Sequence, residues 1–114
     1  MITVGIIEYN RPDLTQIAID SARQNAGMDF KLLLIVNSSG TEKKLTGYDH
    51  MIVNERNEGF SEASNQILEY DEANDVVLLN SDTQCGDDWL LHLHNFRYFI
   101  RNLVKISILY VIYI

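Results

Sequence analysis

Leu78-Leu79-Asn80-Ser81-Asp82-Thr83 sets a carboxylate just past the end of an apolar run, with an amide two positions before it. Oxygen ligands of this kind suit hard divalent cations, which keep several waters and bind substrate phosphates beside one or two carboxylates. The same residue types also turn the chain or cap a helix, because Asx and Thr side chains bond readily to nearby backbone. On the residues alone both readings stay open.

Other candidate groups carry less chemistry. His92 and His94 are two apart on an expected helix, where they point about 200° apart and cannot share a metal, so both are expected at the surface, solvated or hydrogen-bonded. Cys85 has no Cys-x-x-Cys partner and no His or Lys close in sequence, which reads as a small, partly buried residue rather than a nucleophile. Glu8, beside Tyr9, is expected to be solvated or ion-paired. The chain has neither a Gly-x-Gly-x-x-Gly after its first apolar run nor a Gly-Lys-Ser/Thr, which disfavours a dinucleotide dehydrogenase and a P-loop NTPase. A nucleotide, if bound, would need a metal to meet its diphosphate.

The elements that must position these groups are legible as apolar runs. Ile2–Ile7, Lys31–Val36, Met51–Val53 and Asp75–Leu79 read as strands, the longer ones apolar throughout as in a parallel sheet buried on both faces. Pro12 suits a first helical turn, and Leu14, Ile17, Ala18, Ser21 and Ala22 follow at spacings of three and four up to Gly27, a C′ candidate. Phe60, Ala63, Ile67 and Leu68 mark one face of a second helix. Asp87 and Asp88 can cap a third, with Trp89, Leu90, Leu93 and Phe96 on its inner side. The order β-α-β-β-α-β-α predicts a three-layer α/β/α sandwich with a mostly parallel sheet. In such sheets ligands bind beyond the carboxyl ends of the strands, and the segments there are polar: Glu8 to Arg11, Asn37 to Thr41, Asn54 to Gly59 and Asn80 to Thr83.

Composition bounds the function class. The chain has 114 residues with 46% hydrophobic and 22% charged side chains, so it is a globular chain of one domain at most. A net charge of −7 argues against the phosphate-neutralising surface of a nucleic-acid polymer binder. One cysteine cannot form an intrachain disulfide, and MITVGIIEYN lacks the basic region and cleavage site of a signal peptide, so a reducing, cytoplasmic setting is expected. The charge is uneven: residues 1–95 carry all 16 acidic side chains, whereas 96–114 carry Arg97, Arg101 and Lys105 and no acid. Leu103–Ile114 is apolar but too short for a spanning helix, which needs about 20 residues. It reads as a strand or the stump of a truncated or frameshifted element in preference to an interfacial anchor. As exposed apolar surface it would favour a homodimer, and as an anchor it would hold the chain at the inner face of a membrane.

Taken together, Thr3 to Pro12, Leu32 to Thr41, Asn57-Glu58-Gly59-Phe60 with Ala63 and Asn65, and Leu78 to Thr83 with Asp88-Trp89-Leu90 resemble the family 2 glycosyltransferases, nearest the rhamnosyltransferase-like branch. The resemblance implies a GT-A, Rossmann-like fold that binds a nucleotide-diphosphate sugar, such as a UDP- or dTDP-sugar. It implies a saccharide or lipid-linked acceptor in polysaccharide or cell-envelope synthesis, with inversion by direct displacement. The family's Asp-x-Asp motif reads Asn80-Ser81-Asp82 here, which makes Asp82 the expected ligand of Mg or Mn. Tyr9 would pack on the base, Asn10 would shape its pocket, and Asn37 stands where many relatives place a base-binding aspartate. Asn57 and Asn65 match positions lining the same nucleotide pocket, while Phe60, Ala63 and Trp89 are expected in the core. Residues 1–95 would then be the donor-binding half, and the catalytic base is expected in a C-terminal half that residues 96–114 do not match. The alternatives are a non-catalytic nucleotide-binding or protein-interaction module of the same fold and, less favoured, a receiver-like domain. The latter suffers from having a single acid, Glu8, at the end of the first strand.

Overall fold

The computed structural model describes residues 1–38, 40–70, 75–104 and 110–112, with the backbone alone for 97–104 and 110–112. Ser39 and most of the apolar tail, 105–109 and 113–114, lie outside the described residues. The described residues form, in order, β1 (Thr3–Glu8), α1 (Pro12–Asn25), β2 (Lys31–Val36), a 3-10 turn (Glu42–Lys44), β3 (His50–Val53), α2 (Gly59–Tyr70), β4 (Val76–Leu79), α3 (Trp89–Val104) and β5 (Tyr110–Ile112).

The sheet runs β3-β2-β1-β4-β5 with every pair parallel. Such a sheet has helices on both faces, and β2 shows the consequence in alternate residues. Leu32, Leu34 and Val36 join Val4, Ile6, Ala18, Ile19, Ala22, Val77, Leu79 and Leu90 in the layer under α1 and α3. Leu33 and Ile35 join Ala63, Ile67, Val76 and Leu78 in the layer under α2. Strand order reverses between β1 and β4, where the chain leaves β1 toward β2 in one direction and returns from β3 to β4 in the other. That reversal opens a crevice at the carboxyl ends of the two strands.

The helix faces differ from expectation in detail. On α1 the buried residues are Thr15, Ala18, Ile19, Ser21 and Ala22, while Ile17 is 49% exposed. The face is rotated by one residue, because Thr15 meets a buried partner at the end of β1 (below). Gly27 has φ +75 just past the helix, the left-handed conformation of a C′ glycine. Phe60 is 54% exposed and Phe96 60% exposed, so neither belongs to the core, whereas Ala63 is buried and Trp89 is half-buried against Phe30. Before α3, Asp88 has φ +56 and its carbonyl accepts from His92 N at 2.9 Å. Neither Asp87 nor Asp88 accepts a hydrogen bond on its carboxylate from a described residue. The third helix runs on through residue 95, where the charge pattern changes, to Val104, and Tyr110–Ile112 pairs with β4 as a strand.

Candidate functional site

The crevice at the β1–β4 reversal holds a cavity of about 180 Å³ lined by Gly5, Ile7, Phe60, Leu78, Leu79, Asn80 and Ser81. Gly5 is required there, since an added Cβ would sit 2.5 Å from Ile67 Cγ2. Absence of that side chain lets α2 approach β1 and carry Phe60 to the crevice rim. Asn80 and Ser81, expected from sequence, are half-buried in the wall.

Asp82 follows them at the surface, where its Oδ1 accepts from Asn80 Nδ2 at 3.1 Å. The amide therefore orients the carboxylate through one oxygen, and the other has no hydrogen-bond partner among the described residues. Among the described residues no three His, Cys, Asp or Glu side chains gather in a group able to hold a metal. Asp82 thus fits a cation that takes one protein carboxylate and completes its shell with phosphate oxygens and water, the habit of Mg, and does not fit a preformed protein cage.

The segment after β1 is exposed. Tyr9 is 49% exposed, and Asn10 has φ +55, a left-handed conformation that asparagine tolerates better than most residues. Arg11 next to it forms a two-point contact with Asp13, Nε to Oδ1 at 3.1 Å and Nη2 to Oδ2 at 3.0 Å. The Arg11 hydrogen bond holds the Asp13 carboxyl below its ordinary range, so the pair stays ionised at neutral pH.

Glu8 departs from expectation: it is fully buried, and it forms no ion pair among the described residues. Its Oε1 accepts from Arg11 N at 2.9 Å and Thr15 Oγ1 at 3.2 Å, and its Oε2 from Thr41 Oγ1 at 2.6 Å. Three donors satisfy the buried carboxylate without a cation. They also tie the segment after β1 to the segment after β2.

A second network stands at the ends of β2 and β3. Asn37 is 2% exposed. Its Oδ1 accepts from Asn54 Nδ2 at 3.0 Å and Glu58 N at 3.0 Å, while its Nδ2 donates to Asn57 Oδ1 at 2.8 Å and approaches Gly59 O at 3.4 Å. Asn57 Oδ1 also accepts from Gly59 N at 2.9 Å. Asn54 and Gln66 exchange two bonds at 2.8 and 2.9 Å, fastening the loop to α2. Asn65, by contrast, is exposed on α2 and takes no part in this network. Sequence reasoning missed Glu8, Thr15, Thr41, Asn54, Gln66 and the exposure of Phe60. Only the polarity of their segments signalled the loop residues.

The remaining candidates lie elsewhere. Cys85 is 3% exposed, with its backbone bonded to Ser21 Oγ and Asn25 Nδ2, and burial pushes its thiol up. His92 is exposed and His94 half-buried on α3. No helix among the described residues is long and apolar enough to cross a membrane.

No curated protein and no solved structure matches the chain at a significant level. Residues 3–103 match the family profile described as Glycosyl transferase family 2. That span takes in strands β1 to β4, two of which frame the crevice, with the Asn37 network and the Asn80-Ser81-Asp82 turn. The α/β architecture is that of a GT-A, Rossmann-like domain, and the chain belongs to glycosyl transferase family 2.

Proposed function

We infer that this chain is the donor-binding half of an inverting, metal-dependent glycosyltransferase of the rhamnosyltransferase-like branch, taking a UDP- or dTDP-sugar. The acceptor is a saccharide or lipid-linked saccharide of polysaccharide or cell-envelope synthesis. The observation that supports this reading is that Asn80 and Ser81 line the β1–β4 crevice and that Asn80 Nδ2 donates to the carboxylate of the next residue but one, Asp82.

In the transfer, an acceptor hydroxyl oxygen bonds to the anomeric carbon as that carbon's bond to the diphosphate oxygen breaks. The hydroxyl proton passes to a base supplied by the acceptor half of the domain. Asp82 would hold Mg or Mn, which would supply Lewis-acid neutralisation of the charge growing on the leaving diphosphate. Tyr9 and Asn10 offer an exposed ring and a turn on the base side, and Asn80 and Ser81 offer polar groups on the wall beside the diphosphate. The segment carrying Tyr9 and Asn10 is held by Glu8 through Arg11 N, which keeps that side of the site set before the donor arrives.

The test is a thermal-shift titration with UDP and dTDP, with and without Mn, on the natural chain and on Asp82→Asn. Nucleotide at 100 times its dissociation constant adds about 2.7 kcal/mol, several degrees in a domain of this size. A Mn-dependent shift that Asp82→Asn abolishes is the expected result. A cooperative melt that no nucleotide moves would overturn the reading and leave a protein-interaction module.

A further inference from the structure

We propose that Asn37 and Asn57 form a polarity relay: Asn37 touches no ligand, and instead fixes Asn57 with its amide NH2 outward, toward an acceptor oxygen of the bound molecule. This rests on the donor-site reading for the identity of that molecule, a nucleoside diphosphate, and on hydrogen-bond geometry for the rest.

Backbone donors decide the orientation of both amides. Glu58 N can only donate, so the Asn37 atom it meets at 3.0 Å is an oxygen. Gly59 N can only donate, so the Asn57 atom it meets at 2.9 Å is an oxygen as well. The 2.8 Å contact between the two side chains then has to be Asn37 Nδ2 donating to Asn57 Oδ1. With Asn54 Nδ2 on its oxygen too, Asn37 has used both acceptor positions and, counting the 3.4 Å approach to Gly59 O, both donors. Nothing is left for a ligand, and the residue is only 2% exposed. Asn57 is the opposite case. Its oxygen is committed inward to two donors, it is exposed, and its Nδ2 has no partner among the described residues. An asparagine free to turn could present either end of its amide, whereas this one offers donors only. The ligand atom it fits is an acceptor, either a carbonyl oxygen of a base or a phosphate oxygen.

Two variants separate the relay from simple support. Asn37→Asp keeps the acceptor for Glu58 N but places an oxygen against Asn57, which must turn its NH2 inward. Gly59 N then loses its partner and Asn57 shows its oxygen outward. Asn57→Asp keeps an oxygen for Gly59 N and for Asn37 Nδ2 but offers no donor outward. Residue-resolved amide exchange on the ligand-free chain should show Gly59 exchanging at least about tenfold faster in Asn37→Asp with Glu58 still protected, and both amides protected in Asn57→Asp. Calorimetric titration with UDP, uridine and inorganic diphosphate should show each variant binding about tenfold more weakly, and the double variant no weaker than either single one. A loss seen with uridine assigns the acceptor to the base, and one seen with diphosphate assigns it to the phosphates. Additive losses, or a change in the ranking of UDP against CDP and GDP in Asn37→Asp, would overturn the relay by showing that Asn37 itself meets the ligand. If the natural chain binds none of the probes, the donor-site reading fails. The exchange pattern still decides the relay: Gly59 unchanged in Asn37→Asp rejects it.

Discussion

Thr41 lies 33 residues after Glu8, yet its hydroxyl donates to Glu8 Oε2 at 2.6 Å, across the ends of β1 and β2. The other carboxylate oxygen takes Arg11 N and Thr15 Oγ1. One buried acid therefore gathers the loop after β1, the first turn of α1 and the loop after β2.

Substitutions at Glu8 should sort by what they leave for Arg11 N. Glu8→Gln keeps an oxygen for Arg11 N and Thr15, and the Thr41 hydroxyl can rotate to accept from the new NH2, so the cost should stay near about 1 kcal/mol. Glu8→Ala removes the acceptor altogether and should cost about 2–3 kcal/mol. Urea unfolding with unchanged m-values checks the order, and an equal loss in the two variants would contradict it.

Gly5 and Ile67 should behave as a coupled pair. A Cβ at Gly5 meets Ile67 Cγ2 at 2.5 Å and Cδ1 at 2.6 Å, and Ile67 is fully buried with nowhere to move. Gly5→Ala should destabilise by about 1–3 kcal/mol through overpacking. Adding Ile67→Val, which removes the Cδ1 methyl, should recover part of that loss, and simple additivity in a double-mutant cycle would refute the contact.

Asp49 makes stability depend on acid. Burial works to raise its carboxyl, but Nη2 of Arg23 and Leu32 N, both at 2.7 Å from Oδ2, outweigh this and hold it below the ordinary value of 3.8. A depressed folded-state value means the contribution is present above the unfolded value and is lost as pH falls through the folded one. The natural chain should exceed Asp49→Asn by no more than about 1 kcal/mol at pH 7, because both partners reach solvent. Denaturant melts below pH 4 should show that gap closing, and a gap that widens toward acid would have the sign wrong.

Cys85 should label only when the chain opens. Its thiol is buried and pushed up from its ordinary value, so alkylation at pH 7.5 should run at least about 100-fold slower in the folded chain than in denaturant. Equal rates would place the thiol at the surface.

Much of the fold was readable before any tertiary information. The strands were legible because a parallel sheet covered on both faces demands apolar residues at every position, and Val4–Ile7, Lys31–Val36 and Val76–Leu79 meet that demand almost without interruption. Pro12 and Gly27 bounded α1 because the proline ring fixes a φ that suits a first helical turn, and glycine takes the left-handed conformation past a helix end without a Cβ penalty. The turn at Asn80-Ser81-Asp82 stood out because a polar cluster directly after a buried strand has only the sheet's edge to occupy. Tertiary structure alone decided the rest. Glu8 reads in sequence as the polar end of a strand, and its burial depends on donors at Arg11, Thr15 and Thr41 that assemble only once β1 and β2 pair. That same acid draws Thr15 inward and rotates the α1 face away from Ile17. Asn37 was singled out as a residue that could meet a ligand, and in the fold its amide is taken up by partners at Asn54, Asn57, Glu58 and Gly59. Hydrogen-bond capacity is spent between segments brought together by pairing, so no local pattern can announce whether a polar side chain faces a ligand or holds the loop that does.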